Sequence, residues 1–349
     1  YTRPWSSAAS DVYKRQAVLT MWELETRVKE FFALVFLLVT GVFGLFMSMD
    51  LFFIFIWYDV SLFPMYLLIA VWGSTRKEYA AMKLTLYLLA GSALILPAII
   101  YLVVKSGFNT FNLVALMQPG TFSPFEQKFA FLLLYIGFGI LAGVWPFHTW
   151  SPVGHVAAPT AVSMIHAGVL MKIGAFGVLR VAIFLCPEGW QYWAHLMALL
   201  AVVGIVYGVF VGLSQTDLKY VIGYSSVSHM GIVVLGLATV TVEALNGAVF
   251  QMFAHGVMTA LFFSSVGYIY DRTHTKNIAE LGGLSRTMPV ATGYLSVAAL
   301  TGIGVPCLAS FWAELTVFIS SFKVYPLYGT LAVCALAVSA LFILRVVQR

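Results

Sequence analysis

Charged residues are scarce in this sequence of 349 residues: Asp, Glu, Lys and Arg make up only 9% of it, against about 25% in an average soluble chain. Apolar residues make up 61%. A folded sphere could not hide that much apolar surface from water, so a soluble fold is excluded. The solvent of this chain is mostly lipid. The small excess of positive charge fits basic loops at a membrane face, and we expect no nucleic acid partner.

Cysteine and the common catalytic motifs are also lacking. The three cysteines, Cys186, Cys307 and Cys334, lie far apart in or beside apolar segments, and no second ligand lies at metal spacing from any of them. We expect them to be buried small apolar residues. No phosphate-binding glycine loop, nucleophile motif or HExxH zinc motif occurs. The sequence therefore predicts no metal site, no cofactor site and no redox centre in this chain.

The two ends of the sequence differ from the rest. Residues 1–16 are polar, fit no signal-peptide plan and resemble translated adapter sequence, so we expect an artefactual tail there. At the other end, Arg349 directly follows an apolar segment. We therefore expect a fragment that is cut at both ends.

Long apolar runs recur along the chain with short breaks between them. A helix needs about 20 such residues to cross about 30 Å of hydrocarbon, and the sequence lacks the alternation of a membrane barrel. The runs therefore predict about ten transmembrane helices, at residues 29–48, 51–73, 79–104, 127–145, 160–185, 190–213, 218–240, 244–270, 288–322 and 325–348. The face that holds the start of the first helix carries most of the loop lysines and arginines, which places that face in the cytoplasm.

Glycine and proline interrupt two of the predicted helices, at residues 143–146 and 302–306. Each break falls in the fourth helix of a set of five. Because five is odd, the second set enters the membrane from the opposite face, and matching broken helices are typical of inverted repeats in transporters. We therefore predict an all-α polytopic membrane protein with two inverted five-helix repeats, residues 23–186 and 187–349.

A few ionisable residues lie near the middle of these apolar segments, where an unpaired charge is costly. The charged ones are Asp59, Lys172 and Glu314, and the histidines are His166, His229 and His255. Carboxylate, lysine and histidine side chains at one depth on different helices have the composition of a proton relay. A single membrane histidine more often forms a hydrogen bond between helices. The hypothesis of a proton relay therefore rests on the whole set of residues and not on any one of them.

Four segments carry a resemblance to a known family: residues 57–92, 145–180, 213–231 and 250–263, which include WPFHTWSPVGH and YSSVSHMG. They are similar to the antiporter-like subunits of proton-pumping NADH:quinone oxidoreductase, respiratory complex I, above all to the subunit M type. The resemblance runs from about residue 23 to the end. It implies that helices of a longer subunit lie outside this sequence on both sides.

The resemblance also implies roles for single residues. The family's glutamate of the second helix falls at Asp59, its buried central lysine at Lys172, and its channel-terminal glutamate at Glu314. His229 and His255 match the histidines between them. These five residues are the proton relay that the resemblance predicts.

Two positions depart from the family pattern. The lysine that normally pairs with the acid falls at Leu141, and the usual aspartate of the following loop is Gly154. With no cation at residue 141, we expect Asp59 to work as a neutral hydrogen-bonding acid or to relay protons through water, and not to gate by opening an ion pair.

The function that the resemblance implies is proton translocation by a membrane-arm subunit without a redox centre of its own. NADH, flavin, iron–sulfur clusters and quinone would bind to partner subunits, and neighbouring antiporter-like subunits would be its partners in a bacterial inner membrane. Two alternatives stay open. One is a homologous subunit of a multisubunit cation/proton antiporter or of a membrane-bound hydrogenase, and the other is a structural subunit that has lost transport.

Overall fold

A computed structural model describes residues 18–22 and 24–348 of the chain. The described residues are almost entirely helical and contain no strand, only two isolated β-bridges. Nine of their helical segments are long and apolar enough to cross a membrane, so the prediction of a multi-pass all-α membrane protein is confirmed. The tail at residues 1–16, residue 23 at the start of the first predicted repeat, and Arg349 lie outside the described residues.

The helices follow the predicted spans closely. In the first half they are α1 (Val28–Met47), α2 (Leu51–Trp72), α3 (Lys77–Ser106), α4 (Pro124–Ala142), α5 (Trp150–Ala157) and α6 (Thr160–Ile183). In the second half they are α7 (Pro187–Ser214), α8 (Leu218–Ala238), α9 (Val242–Thr273), α10 (Pro289–Ile303), α11 (Ala309–Val324) and α12 (Pro326–Val347). The ninth predicted span, residues 288–322, was wrong. The structure has two helices there, α10 and α11, each too short to count as a transmembrane span.

Both breaks end their helix in the same way. Gly143 (φ 70°) follows α4 and Gly304 (φ 75°) follows α10, in the left-handed conformation that glycine adopts without strain. In each case the next amide donates to a carbonyl of the last helical turn (Val144 to Gly139, 3.0 Å; Val305 to Leu300, 3.2 Å). This hydrogen-bond pattern satisfies backbone carbonyls that a broken helix leaves without partners.

The starts of α2 and α8 are also alike. Asp50 and Asp217 cap these helices, because a side-chain oxygen of each accepts hydrogen bonds from the first turn. Each capping aspartate forms an antiparallel bridge with an asparagine that follows the next helix, Asn112 in the first half and Asn277 in the second. The two halves therefore share a local arrangement that joins the start of one helix to the end of the next.

The helices differ strongly in how much of their surface the protein covers. The apolar window of α8 is 94% buried and that of α6 is 89% buried, whereas those of α1, α2 and α3 are 44% buried and that of α12 is 33% buried. A helix that is buried on all sides lies at the centre of its bundle, and one that exposes an apolar face meets lipid or another subunit. Side chains of α6 and α8 are therefore shielded from lipid.

Candidate functional site

Lys172 lies in the middle of α6, two residues after a π-helical turn, His166–Leu170. Such turns are rare and occur frequently at functional sites. The Lys172 side chain is 5% exposed, and its Nζ donates a hydrogen bond to the Ala167 carbonyl of the π turn. This part of α6 lies directly against α4 because Gly174 has no side chain: a Cβ there would be 2.3 Å from the backbone nitrogen of Ala142.

The second contact of Lys172 is with a histidine on α9. Its Nζ lies 2.6 Å from Nδ1 of His255, which is fully buried. A lysine ammonium can only donate, so Nδ1 accepts this hydrogen bond and the ring proton of a neutral His255 is on Nε2. That Nε2 has no hydrogen-bond partner among the described residues. A proton donor and a proton acceptor therefore face each other inside the protein.

His229 on α8 continues the row. Its ring stacks on that of His255 with 5.1 Å between the ring centroids. Its Nδ1 lies 2.8 Å from the Ser225 carbonyl oxygen and its Nε2 lies 3.2 Å from the Gly302 carbonyl oxygen at the second break. Carbonyl oxygens only accept, so both contacts are hydrogen bonds only when both ring nitrogens carry a proton. Nδ1 also lies 3.3 Å from the Ser225 hydroxyl, which can donate to it, so the same geometry also suits a neutral ring with its proton on Nε2.

Glu314 on α11 lies next to that ring. Its Oε1 lies 3.5 Å from Nε2 of His229, and the side chain is 2% exposed. Oε1 also accepts a hydrogen bond of 2.9 Å from Nε2 of Gln251 on α9, which is fully buried. A Cβ at Gly304 would be 2.5 Å from Oε2 of Glu314, so the glycine of the second break leaves room for the carboxylate.

The structure thus brings four of the five predicted site residues together: Lys172, His255, His229 and Glu314, contributed in that order by α6, α9, α8 and α11. Gln251 joins them, and it was not predicted because a neutral amide does not stand out in an apolar sequence as a charge does. Its spacing was a usable signal, since residues four apart on a helix share one face and Gln251 is four residues before His255.

Asp59, the fifth predicted residue, lies apart from this row. Its Oδ1 accepts a hydrogen bond of 2.8 Å from the Ser92 hydroxyl on α3. The side chain is half-buried and borders an apolar groove of about 470 Å³, lined also by Leu37, Phe55, Ile56, Val60 and Phe63. Among the described residues no cation forms an ion pair with it. Leu141 is buried in the apolar core of α4.

Further buried polar groups surround Lys172. The rings of His166 and His155 lie 4.1 Å apart between centroids, both are fully buried, and none of their nitrogens has a partner among the described residues. Lys219 lies at the start of α8, where the sequence suggests a loop cation, but its side chain is only 5% exposed and its Nζ donates to the Ala158 carbonyl oxygen, 2.9 Å away. Its position at the start of α8 concealed this burial.

The expectation that all three cysteines are buried is wrong for two of them. Cys186 is buried, as predicted, but Cys307 and Cys334 are exposed. The prediction failed because Cys307 lies in the non-helical segment between α10 and α11, and Cys334 lies on α12, which exposes much of its surface. Within the described part of the chain, no group of three His, Cys, Asp or Glu side chains could hold a metal ion.

A buried row of ionisable side chains across the central helices, next to a broken helix, is the arrangement of a membrane transporter. The family model described as NADH:quinone oxidoreductase/Mrp antiporter, TM, matches residues 48–339. The chain therefore belongs to that family.

Curated relatives agree with this assignment. NAD(P)H-quinone oxidoreductase chain 4 3 of Picosynechococcus sp. is 39% identical over 304 residues, which are 87% of this chain and 55% of the relative. NADH-quinone oxidoreductase subunit M of Rickettsia prowazekii is 35% identical over 327 residues, 93% of this chain and 66% of the relative. The chain thus spans between about half and two thirds of the length of these relatives.

Solved structures share the fold. A chain of respiratory complex I from Thermus thermophilus with bound NADH matches 98% of this chain and 73% of its own length, with a TM-score of 0.90 and 28% identity. A chain of the Mrp complex from Dietzia sp. matches 98% of this chain and 65% of its own, with a TM-score of 0.86. At 22% identity the second match shows the fold alone.

Proposed function

We propose that this chain is part of a proton-translocating membrane-arm subunit of an NADH:quinone oxidoreductase complex. The observation that carries the proposal is the buried row of Lys172, His255, His229 and Glu314 on four helices. Each member can hold and release a proton, and lipid has no access to the row. NADH, flavin, iron–sulfur clusters and quinone would bind to partner subunits, a placement that rests on family membership.

In the proposed cycle, Lys172 is loaded with a proton from the cytoplasmic side. It passes a proton from Nζ to Nδ1 of His255, and a proton then moves past the His229 ring to Glu314, which releases it toward the opposite face. Redox energy from the partner subunits drives the cycle by changing the electrostatic field at Lys172. Asp59 would contribute from the edge of the bundle, toward a neighbouring membrane-arm subunit.

The two-repeat organisation belongs to the same proposal, with repeats at residues 23–186 and 187–349. Support comes from the two glycine-terminated breaks with their matching hydrogen bonds, and from the two aspartate–asparagine bridges in corresponding places. Placement in a bacterial inner membrane is supported by the bacterial relatives, which include proteins of Rickettsia and cyanobacteria.

A second candidate is a subunit of a multisubunit cation/proton antiporter. The likeness to a chain of the Mrp complex favours it at the level of the fold. The two candidates differ in their driving force, because an antiporter would move protons in response to a sodium gradient without NADH. Proton movement in membrane vesicles, driven either by NADH or by a sodium gradient, separates them.

The test of the proposed function is Lys172→Ala in the full-length subunit within its complex. We expect NADH-driven proton translocation to be abolished while the complex still assembles, because a neutral side chain is easily buried. Lys323→Ala is the matched control, since Lys323 is an exposed lysine at the end of α11. Loss of the assembled complex in the first variant, or normal proton translocation, would contradict the assignment of Lys172.

A further inference from the structure

Three polar atoms around the second break have no hydrogen-bond partner among the described residues: Nε2 of His255, Oε1 of Gln251 and Oε2 of Glu314. All three side chains are at most 2% exposed. Buried polar atoms almost always find a partner, in the protein or in a buried water molecule that forms about three hydrogen bonds. One donor and two acceptors on neighbouring side chains meet that requirement.

The three side chains are held close by contacts that the structure does contain. Gln251 and His255 lie one turn apart on α9, and Nε2 of Gln251 donates to Oε1 of Glu314 over 2.9 Å. The amide and the carboxylate thus lie side by side, and neither Oε1 of Gln251 nor Oε2 of Glu314 takes part in their shared hydrogen bond. Between His255 and Glu314, no direct hydrogen bond exists among these residues, so proton transfer needs a bridge there.

The chemistry of an amide suits this position. Its N–H donates to a carboxylate, and its oxygen accepts from a carboxylic acid, so glutamine can hold Glu314 in both protonation states by rotating the amide plane. A lysine or arginine could only donate and would lock Glu314 in its charged form. A neutral residue also adds no further charge to a buried site that already holds the ionisable groups of Lys172, His229 and Glu314.

We propose that Gln251 is a positioning residue for proton transfer to Glu314. It orients the carboxyl group through its amide N–H, and its oxygen helps to hold one water molecule that links Nε2 of His255 to Oε2 of Glu314. In the transfer, Lys172 gives a proton to Nδ1 of His255, the resulting imidazolium gives its Nε2 proton to this water, and the water gives a proton to Oε2 of Glu314. This inference rests on the proposed function.

The ionisable groups that face Glu314 define what a pH measurement would report. They are His229 on α8 and, behind it, His255 on α9 and Lys172 on α6. The other two helices beside α11 add none: α10 has no charged or histidine side chain, and the arginine of α12, Arg345, is exposed. A change in the pH profile of proton transfer in a Gln251 variant therefore reports on this row.

The experiment compares Gln251→Met with Gln127→Met in the full-length subunit within its complex. Gln127 is a buried glutamine at the start of α4 that bonds only to backbone groups of Phe122 and Glu188. We expect Gln251→Met to slow proton translocation about tenfold, as for loss of one hydrogen bond to a charged group. It should also shift the midpoint of the pH profile and the infrared carboxyl band of Glu314. Gln127→Met should change neither the midpoint nor the band.

Gln251→Glu is the second variant, for the case that Gln251→Met does not assemble. It keeps the size of the side chain but replaces the donor with a second acid, so the pH midpoint should move and the rate should fall. An unchanged midpoint and an unchanged Glu314 band in an assembled variant would overturn the inference. Normal translocation in Lys172→Ala would instead overturn the proposed function, while the Glu314 band would still report whether Gln251 holds that carboxyl group.

Discussion

The two broken helices end alike but have different surroundings. At the first break, the Ile140 carbonyl accepts a hydrogen bond of 2.9 Å from the Trp150 indole N–H, and Leu141 beside it is buried among apolar groups. At the second, the Gly302 carbonyl lies 3.2 Å from an imidazole nitrogen of His229. An indole cannot take up or release a proton near neutral pH, whereas an imidazole can.

The hydrogen bond at the second break can therefore change with the protonation of its side chain, whereas the one at the first break cannot. Both breaks solve the same backbone problem with a left-handed glycine, so the break itself does not require ionisable side chains. Among the described residues, the row that ends in His229 and Glu314 reaches freed backbone at the second break, whereas His148, which follows the first break, is buried without a hydrogen-bond partner. The acid of the first half, Asp59, instead bonds to a serine hydroxyl at the edge of the bundle.

The largest effect should come from the acid of the second break. We expect Glu314→Gln to lower proton translocation by about 100-fold or more, the usual contribution of a positioned acid or base. The amide keeps the size of the side chain but cannot carry the proton onward. Initial rates of NADH-driven acidification in proteoliposomes that contain the full complex would measure it. A rate within a few-fold of the unmodified complex would remove Glu314 from the path.

The next largest effect should be on the stability of the fold. Gly174 packs against the end of α4, just before the first break, and Gly302 lies at the second break. A Cβ at Gly174 would meet backbone atoms of α4 at 2.3 Å and 2.5 Å, whereas a Cβ at Gly302 would meet only flexible side chains at 3.4 Å or more. We expect Gly174→Ala to destabilise the fold by about 1–3 kcal/mol through overpacking. Gly302→Ala should change stability by less than about 1 kcal/mol. Thermal unfolding of the full-length subunit in detergent compares them, and equal losses would contradict the packing described for α4 and α6.

The smallest effect on proton translocation is expected from Asp59, the mid-membrane acid of the first half. Asn at residue 59 can still accept the Ser92 hydrogen bond, so Asp59→Asn should slow proton translocation by less than about twofold if the carboxyl group works as a neutral acid. The same proteoliposome assay, run beside Glu314→Gln, sets the two halves against each other. A loss as large as that of Glu314→Gln would show that Asp59 carries protons and that the contrast between the halves is wrong.

Much of this arrangement was predictable from the sequence. Long apolar runs located the helices, glycine and proline located both breaks, and the high cost of charge in lipid singled out Lys172 and Glu314. The sequence could not show that Ser92 reaches Asp59 from another helix, since a serine is common in any membrane span. It also could not show that Gln251 is buried against Glu314, because that contact joins residues 63 positions apart.

The three cysteines give the protein reporter positions of its own. Cys307 is exposed within the second break and Cys334 is exposed on α12, while Cys186 is buried. With Cys334 replaced by serine, a membrane-permeant thiol-reactive fluorophore would label Cys307 alone among these three. The label would sit in the short segment that joins α10 to Glu314's own helix, so its emission would follow movement of that segment while the complex turns over.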